Sequence, residues 1–301
     1  MKEQKSTRIL FVINPKSGTR QKTDFESVIS RVSRTEEFIY EIYKTTGTND
    51  REAIHHRIAA FQPDLVIPVG GDGTINIVAA ELAGSAIKMG MIPAGSANGL
   101  AFNLQIPLHF EDALYKNLHG NFTPFDVIQI NESHYCLHLS DVGINARIVK
   151  RFEQEGNKGF LGYGKQLFKE LFSSNSSFSC TIKIQEHIKK TKAEMVVIAN
   201  AHSYGTGVQI NPNGKWGDGK FEIVVIKPYP WWFFFTFLYA GFTGKLNKMQ
   251  YVKDFTATEA EIVFDKEQDL QIDGEIMDPV KQIKLKIIPA ALHVISVEER
   301  N

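Results

Sequence analysis

Gly70-Gly71-Asp72-Gly73-Thr74-Ile75-Asn76 follows directly on the apolar run Leu65-Val66-Ile67-Pro68-Val69 and leads directly into Ile77-Val78-Ala79-Ala80-Glu81-Leu82. A short apolar run bounded by glycine predicts a buried strand, and the run after it predicts a helix. The join is a strand–turn–helix unit, with Asp72 expected in the middle of the turn. Three glycines let backbone N–H groups come close to a ligand, and a helix N-terminus favours negative charge. Such a turn suits a nucleotide phosphate. A carboxylate there repels phosphate unless a metal or a substrate hydroxyl lies between them, and phosphoryl transfer uses both.

Working outward, Arg8–Ile13 reads as a buried parallel strand and Asn14-Pro15-Lys16-Ser17-Gly18-Thr19 as the turn after it, followed by an amphipathic helix to about Arg34. Phe38 to Tyr43 predicts a second strand and Asp50 to Phe61 a helix. Lys88 to Ile92 predicts a single short strand, ending at Pro93-Ala94-Gly95-Ser96, and Asn98 to Leu104 a helix. This alternation implies an α/β N-terminal domain with an open, mostly parallel, doubly wound sheet over residues 1–126. Ligands bind such sheets at the carboxyl ends of the strands. From Val127 onward short alternating strands predominate: Val127–Ile130, Tyr135–Leu139, Cys180–Ile184, Glu194–Ala199, Lys220–Ile226, Ala260–Phe264 and Ile283–Ile288. They predict a second, mostly antiparallel domain, a β-sandwich or distorted barrel over residues 127–301, whose last strand is free to return to the first domain. Gly156 to Ser177 interrupts it with a loop and a predicted helix. The cleft between two such domains is the expected site.

Composition narrows the class. With 301 residues, 43% apolar and 23% charged, the chain has the make-up of a soluble globular protein of one large or two ordinary domains. Its formal net charge is zero, so nothing global argues for nucleic acid or an anionic membrane. Met1 to Arg8 lacks the apolar core of a signal peptide. Cys136 and Cys180 are far apart, with no CxxC, which predicts free thiols in a reducing cytoplasm. The longest apolar run, Trp231-Trp232-Phe233-Phe234-Phe235 and on to Phe242, is too short to span a bilayer, so no transmembrane segment is expected. It reads first as a helix packed on a core. The sharper alternative is an apolar lip that touches lipid or holds an acyl chain; a partner subunit is a further candidate, which leaves a homodimer open.

No GxxxxGK[ST] segment occurs, and no GxGxxG follows the first strand, so a generic P-loop or dinucleotide fold explains Gly70–Thr74 poorly. The turn gains meaning from its company. Asn14-Pro15-Lys16-Ser17-Gly18 ends the first strand, and Pro93-Ala94-Gly95-Ser96-Ala97-Asn98-Gly99-Leu100-Ala101 ends the fourth. Downstream come Tyr204-Gly205-Thr206-Gly207, Asn211-Pro212, Gly217-Asp218-Gly219-Lys220-Phe221 and Asp273-Gly274-Glu275. In order and spacing, from about Arg8 to Val297, this set resembles the diacylglycerol kinase catalytic-domain family: bacterial diacylglycerol kinases, YegS-like lipid kinases, sphingosine kinases and ceramide kinases.

The resemblance implies an ATP- and Mg-dependent kinase acting on a lipid hydroxyl, cytoplasmic and transiently attached to a membrane surface. By it, Asn14–Gly18 and the Gly70, Gly71, Asp72, Gly73, Thr74, Ile75 and Asn76 loop form the ATP-phosphate cradle. Thr45, or its neighbour Thr46, matches a nucleotide-contacting threonine, and Ser96 and Asn98 belong to the third nucleotide loop. Asp72 matches the acid near the transferred phosphate. Glu275 matches the general base that takes the lipid hydroxyl proton. Asp218 matches the ligand of a structural magnesium, assisted by the carbonyls of Lys215 and Lys220.

Plainer roles compete. Asp273-Gly274 and Asp218-Gly219 are also ordinary hairpin turns, and Asn14 is also a candidate cap for the helix after it. The chain departs from the bacterial diacylglycerol kinase pattern in three places. Gly99 stands where a second acid is usual, Ile77 follows Asn76 where a glutamate is common, and His138-Leu139-Ser140-Asp141-Val142-Gly143 carries an unusual aspartate. Asp141 is either a surface or turn residue or a recogniser of a polar lipid headgroup. Two other functions stay in play: a NAD kinase, which shares the Gly-Gly-Asp-Gly loop, and a non-catalytic lipid or nucleotide binder, motivated by Gly99.

Overall fold

Apolar runs at strand length and amphipathic runs at helix length alternate through the first 125 residues, and the chain folds accordingly. The structure, a computed structural model, describes residues 6–17, 24–143, 146, 177–200, 214–230, 233, 236, 239–240, 243, 245 and 249–296. Its chain contacts divide into two units, residues 1–125 with 290–301, and residues 126–289.

In the first unit the order is β1 (Arg8–Ile13), α1 (Phe25–Thr35), β2 (Ile39–Lys44), α2 (Asp50–Phe61), β3 (Leu65–Gly70), α3 (Asp72–Leu82), β4 (Lys88–Met89), β5 (Ile92–Pro93), α4 (Gly99–Asn103) and α5 (Phe110–His119). β1 lies between β2 and β3, parallel to both, with Ile13 opposite Lys44 and Val69. β3 pairs in parallel with β4 and then β5, with Gly70 opposite Pro93. Ile9, Leu10, Phe11 and Val12 of β1, Val66 and Ile67 of β3, and Ile75, Val78 and Leu82 of α3 have no exposed surface and form the core. Burial of that kind is worth about 1.5–3 kcal/mol per large side chain.

The stretch expected as one strand, Lys88 to Ile92, is two. Asn117 on α5 intervenes: its Oδ1 accepts the Met91 N–H at 2.9 Å and its Nδ2 donates to the Met91 carbonyl at 2.9 Å. A side chain at position 90 would put its Cβ 2.1 Å from that Oδ1, so only glycine leaves room for it. α5 itself was not expected, although Phe110, Ala113, Leu114 and Asn117 recur at helical spacing and are all buried. Asp24, not Asn14, caps α1, by accepting the Ser27 N–H at 3.3 Å.

The second unit comprises most of β6 (Phe122–Ile130), then β7 (His134–Cys136), β8 (Leu139–Gly143), β9 (Phe178–Ile184), β10 (His187–Ala193), β11 (Met195–Ala199), β12 (Phe221–Ile226), β13 (Val252–Ala257), β14 (Glu259–Gln268), β15 (Leu270–Ile272), β16 (Glu275–Ile276) and the first ten residues of β17 (Val280–Ile295). One antiparallel layer runs β10-β9-β14-β17 and the other β13-β12-β11-β8-β15-β16. Alternate residues of both layers, among them Phe178, Ile262, Phe264, Val196, Ile223 and Leu270, share one buried cluster, the core of a sandwich. The expected strand Tyr135–Leu139 divides into β7 and the start of β8, because its central N–H groups turn to a side chain described below. The last residues of β17 pair in parallel with β4, Val294 opposite Met89. The N-terminal α/β domain and the antiparallel C-terminal domain are thus both present. The predicted helix within Gly156–Ser177 and the Tyr204–Gly207 and Asn211-Pro212 motifs lie outside the described residues.

Candidate active site

Parallel pairing brings the carboxyl ends of β1, β2, β3 and β5 into register, so the loops after them leave from one sheet edge. Asn14 begins the first. Its N–H donates to the Val69 carbonyl at 3.0 Å, its Oδ1 accepts the Lys16 N–H at 2.9 Å, and its Nδ2 reaches the Thr74 hydroxyl at 3.5 Å. The side chain thus shapes its own turn and ties it to the glycine loop. Pro15 and Lys16 are exposed and Ser17 is half-buried; Gly18 lies outside the described residues.

Gly70 and Gly71 make the turn, and Asp72 is already the first residue of α3, not the middle of a loop. The N-cap of α3 is Gly71, which brings no side chain of its own to the helix start, and the positive end of a helix dipole favours an anion. The Thr74 and Ile75 side chains are buried behind them, and Asn76 is half-buried. The Asp72 carboxylate spans to the third loop, accepting the Gly99 N–H at 3.0 Å and the Leu100 N–H at 3.2 Å. It caps α4 from another element. The two loops also touch backbone to backbone: a Cβ on Gly95 would lie 2.4 Å from the Gly71 Cα. Asn98, in the left-handed conformation, brackets its loop by accepting the Gly95 N–H and donating to the Gly95 carbonyl. Ser96 at the tip is exposed.

After β2, the half-buried Thr45 donates its N–H to the Ile13 carbonyl. Asp50 holds the rest of that loop. Its carboxylate accepts the Thr46 N–H, the Thr46 and Tyr43 hydroxyls and the Gly47 N–H. Burial alone would raise the Asp50 pKa, but these donors outweigh it and hold the group below its ordinary value. Burial, followed by the hydrogen bond to Asp50, raises Tyr43. Asp50 was missed in the sequence; its place four residues after Thr46, at a helix start, is the available signal.

In the second unit Asp273-Gly274 does form the two-residue turn of the β15–β16 hairpin, with φ of 49° and 92° and Ile272 opposite Glu275. Glu275 is exposed at its exit. Asp273 is almost fully buried and accepts three successive N–H groups, those of Leu137 (2.8 Å), His138 (2.9 Å) and Leu139 (3.1 Å). This is what divides β7 from β8. Asp141 is not a surface or turn residue: it has no exposed area on β8 and its Oδ2 accepts from Gln271 Nε2 at 2.6 Å. Burial, reinforced by the Asp273 charge, pushes the Cys136 thiol well up.

Asp218 is exposed in a turn between Gly217 and Gly219, both at positive φ, and its Oδ1 accepts the Lys220 N–H at 3.0 Å. The buried Asp126, which sequence reading passed over, accepts the Gly219 N–H at 2.6 Å. A carboxylate and backbone carbonyls such as those of Lys215 and Lys220 are oxygen donors of the kind magnesium takes. Among the described residues no three His, Cys, Asp or Glu side chains gather as a metal cluster, so a cation at this turn would need backbone and water ligands as well. Of the Trp231–Phe242 run, Phe233, Thr236, Tyr239 and Ala240 are described, and the Phe233 ring packs edge-on against Tyr251, 4.8 Å between centroids. Among the described residues no helix is long and apolar enough to cross a membrane.

Residues 8–130 match the family described as diacylglycerol kinase catalytic domain, and residues 140–296 that described as YegS C-terminal NAD kinase beta sandwich-like domain. The chain is 26% identical over 296 residues to a protein of Pectobacterium atrosepticum named "Probable lipid kinase YegS-like", covering 96% of each chain. It is 26% identical to a Yersinia enterocolitica protein of the same name, covering 94% of this chain and 95% of the other. A crystal structure titled as a diacylglycerol kinase from Bacillus anthracis str. Sterne aligns over 98% of each chain with a TM-score of 0.71 at 20% identity. Another structure from that organism reaches a TM-score of 0.77 at 21% identity, covering 96% of this chain and 97% of its own. With both halves matched in order, the chain belongs to the diacylglycerol kinase catalytic-domain family of lipid kinases, in its YegS-like form.

Proposed function

We propose that this chain transfers the γ-phosphoryl group of ATP, with magnesium, to a hydroxyl of a membrane lipid: a diacylglycerol, a sphingoid base or a related lipid alcohol. The observation that carries this reading is the glycine-led N-terminus of α3, set between the Asn14 and Gly95 loops at the carboxyl edge of the sheet. Backbone N–H groups of Asn14–Ser17 and Gly70–Asn76 would hold the phosphates, with Thr45 and Ser96 at the nucleotide's flank. Asp72 keeps the second and third loops in one geometry while presenting a carboxylate to the same edge. Glu275 takes the proton as the lipid O–H bond breaks; the lipid oxygen bonds to the γ-phosphorus, and ADP leaves with the bridging oxygen. Magnesium supplies positive charge against the phosphate oxygens, and Asp218 with the Lys215 and Lys220 carbonyls is its proposed structural site in the C-terminal unit. Membrane contact is transient, since the chain has no net charge to hold it on an anionic surface.

A second reading, phosphorylation of NAD, is favoured by one observation, the NAD-kinase-like description of the C-terminal match. One experiment separates the two. Purified protein is incubated with γ-labelled ATP, magnesium, a bacterial lipid extract and NAD. Label in the organic phase, with the product's mass identifying the lipid, supports a lipid kinase, and label on NAD supports the second reading. Binding of ATP with neither label overturns both in favour of a non-catalytic binder.

A further inference from the structure

The base assigned above sits on a hairpin of only five strand residues. β15 has three, β16 has two, and Glu275 follows directly on the turn. So short a hairpin is marginal by itself. Side chains tie it to the neighbouring stretch, residues 137–141. Asp273 takes the N–H groups of residues 137–139. Gln271 is buried and makes two opposed bonds: its Nε2 donates to Asp141 Oδ2 at 2.6 Å, and its Oε1 accepts the Gly274 N–H at 2.5 Å. Ser140 Oγ adds a third tie, donating to the Gln271 carbonyl at 2.7 Å.

The order of polarity is the point. Asp141 Oδ2 accepts from the Gln271 amide, which thus presents its NH2 to β8 and its oxygen to the turn. That orientation leaves the oxygen facing Gly274, one residue from Glu275. We propose that Asp141 and Gln271 are positioning residues for Glu275: the buried acid sets the amide, and the amide fixes the turn that aims the base. The proposal rests on Glu275 being the base. It also gives Asp141 a role directed into the protein, not toward a lipid headgroup.

The test reverses the polarity. Gln271→Glu sets a carboxylate against Asp141. Asp141→Asn with Gln271→Glu restores one donor and one acceptor with their places exchanged and the charge unchanged. Two readouts are taken on the full-length protein: hydrogen exchange of the Gly274 amide, and kcat for lipid phosphorylation beside the KM for ATP. In Gln271→Glu, Gly274 exchanges faster and kcat falls about tenfold, the scale of a modest loss of orientation, while the KM for ATP holds. The double variant recovers both readouts. Unchanged Gly274 exchange in a folded Gln271→Glu, or a double variant no better than it, overturns the proposal. Should Gln271→Glu fail to fold, failure of the double variant to fold as well is the same overturning result. Recovered exchange without recovered kcat removes the catalytic role. A wild-type protein that labels no lipid, or a fully active Glu275→Gln, overturns the assignment of Glu275 instead, and the exchange arm still decides whether Asp141 sets the turn.

Discussion

Gly95 and Gly71 meet backbone to backbone: a Cβ placed on Gly95 would stand 2.4 Å from the Gly71 Cα and 2.9 Å from Asn98 Oδ1. The glycine loop proposed to hold the phosphates and the Gly95 loop proposed at the nucleotide's flank are thus a single packed object. Gly95→Ala is expected to force them apart. Overpacking of this kind costs about 1–3 kcal/mol, and both the melting temperature and the affinity for ATP fall. Unchanged ATP affinity by calorimetry would show that the contact does not shape the nucleotide site.

Asp72→Asn replaces one of two acceptor oxygens by an NH2 group. One of the Gly99 and Leu100 N–H groups then faces a donor. A lost bond of this type costs about 1–3 kcal/mol, so the variant melts lower while retaining its circular dichroism. Turnover is expected to fall more steeply than stability, because the acid proposed to stand near the phosphate is lost too. A folded variant with full, metal-dependent activity sinks that role.

Asp50 makes stability depend on pH with a fixed sign. Its folded pKa is lowered, so between that value and the ordinary carboxylate value the unfolded chain binds more protons. Its contribution is complete above the unfolded pKa and disappears as pH falls through the folded one. The melting difference between wild type and Asp50→Asn is therefore expected at neutral pH and to shrink in acid. A difference that grows in acid would contradict the hydrogen-bond account.

Asp218→Ala tests the magnesium turn. Wild-type protein is expected to melt higher with magnesium than with a chelator, since a ligand bound only to the folded state adds RT ln(1 + [L]/Kd). Asp218→Ala removes that increment. Equal melting of wild type under both conditions would leave Asp218 a plain turn residue.

The thiols are expected to resist modification. Burial, followed by the Asp265 charge, raises Cys180 to about 11, and Cys136 is buried against Asp273. Native protein near pH 8 reacts slowly with a thiol reagent, and denatured protein yields two equivalents. Rapid native labelling would show that one of the sites opens readily.

Local patterns carried much of the fold. β1, α2 and the α3 start are legible because β-branched runs, helical spacing and glycine turns act within a few residues of themselves. α5 was not read from the sequence, although Phe110, Ala113, Leu114 and Asn117 carry its spacing. The break between β4 and β5 was not legible, because its cause, Asn117, lies 26 residues away from Met91. The same holds for Asp273, which divides a strand more than 130 residues earlier in the chain.

The sequence by itself determined the strand–turn–helix unit at Gly70–Asn76, the change from parallel to antiparallel architecture near residue 126, and the family, since each depends on order and spacing. Tertiary structure alone decided what the acids do: Asp72 caps α4, Asp50 gathers the Thr46 loop, and Asp141 fixes Gln271 inside the sandwich. A carboxylate's role follows from which donors surround it and whether water reaches it, and both are set by chain segments far away in sequence.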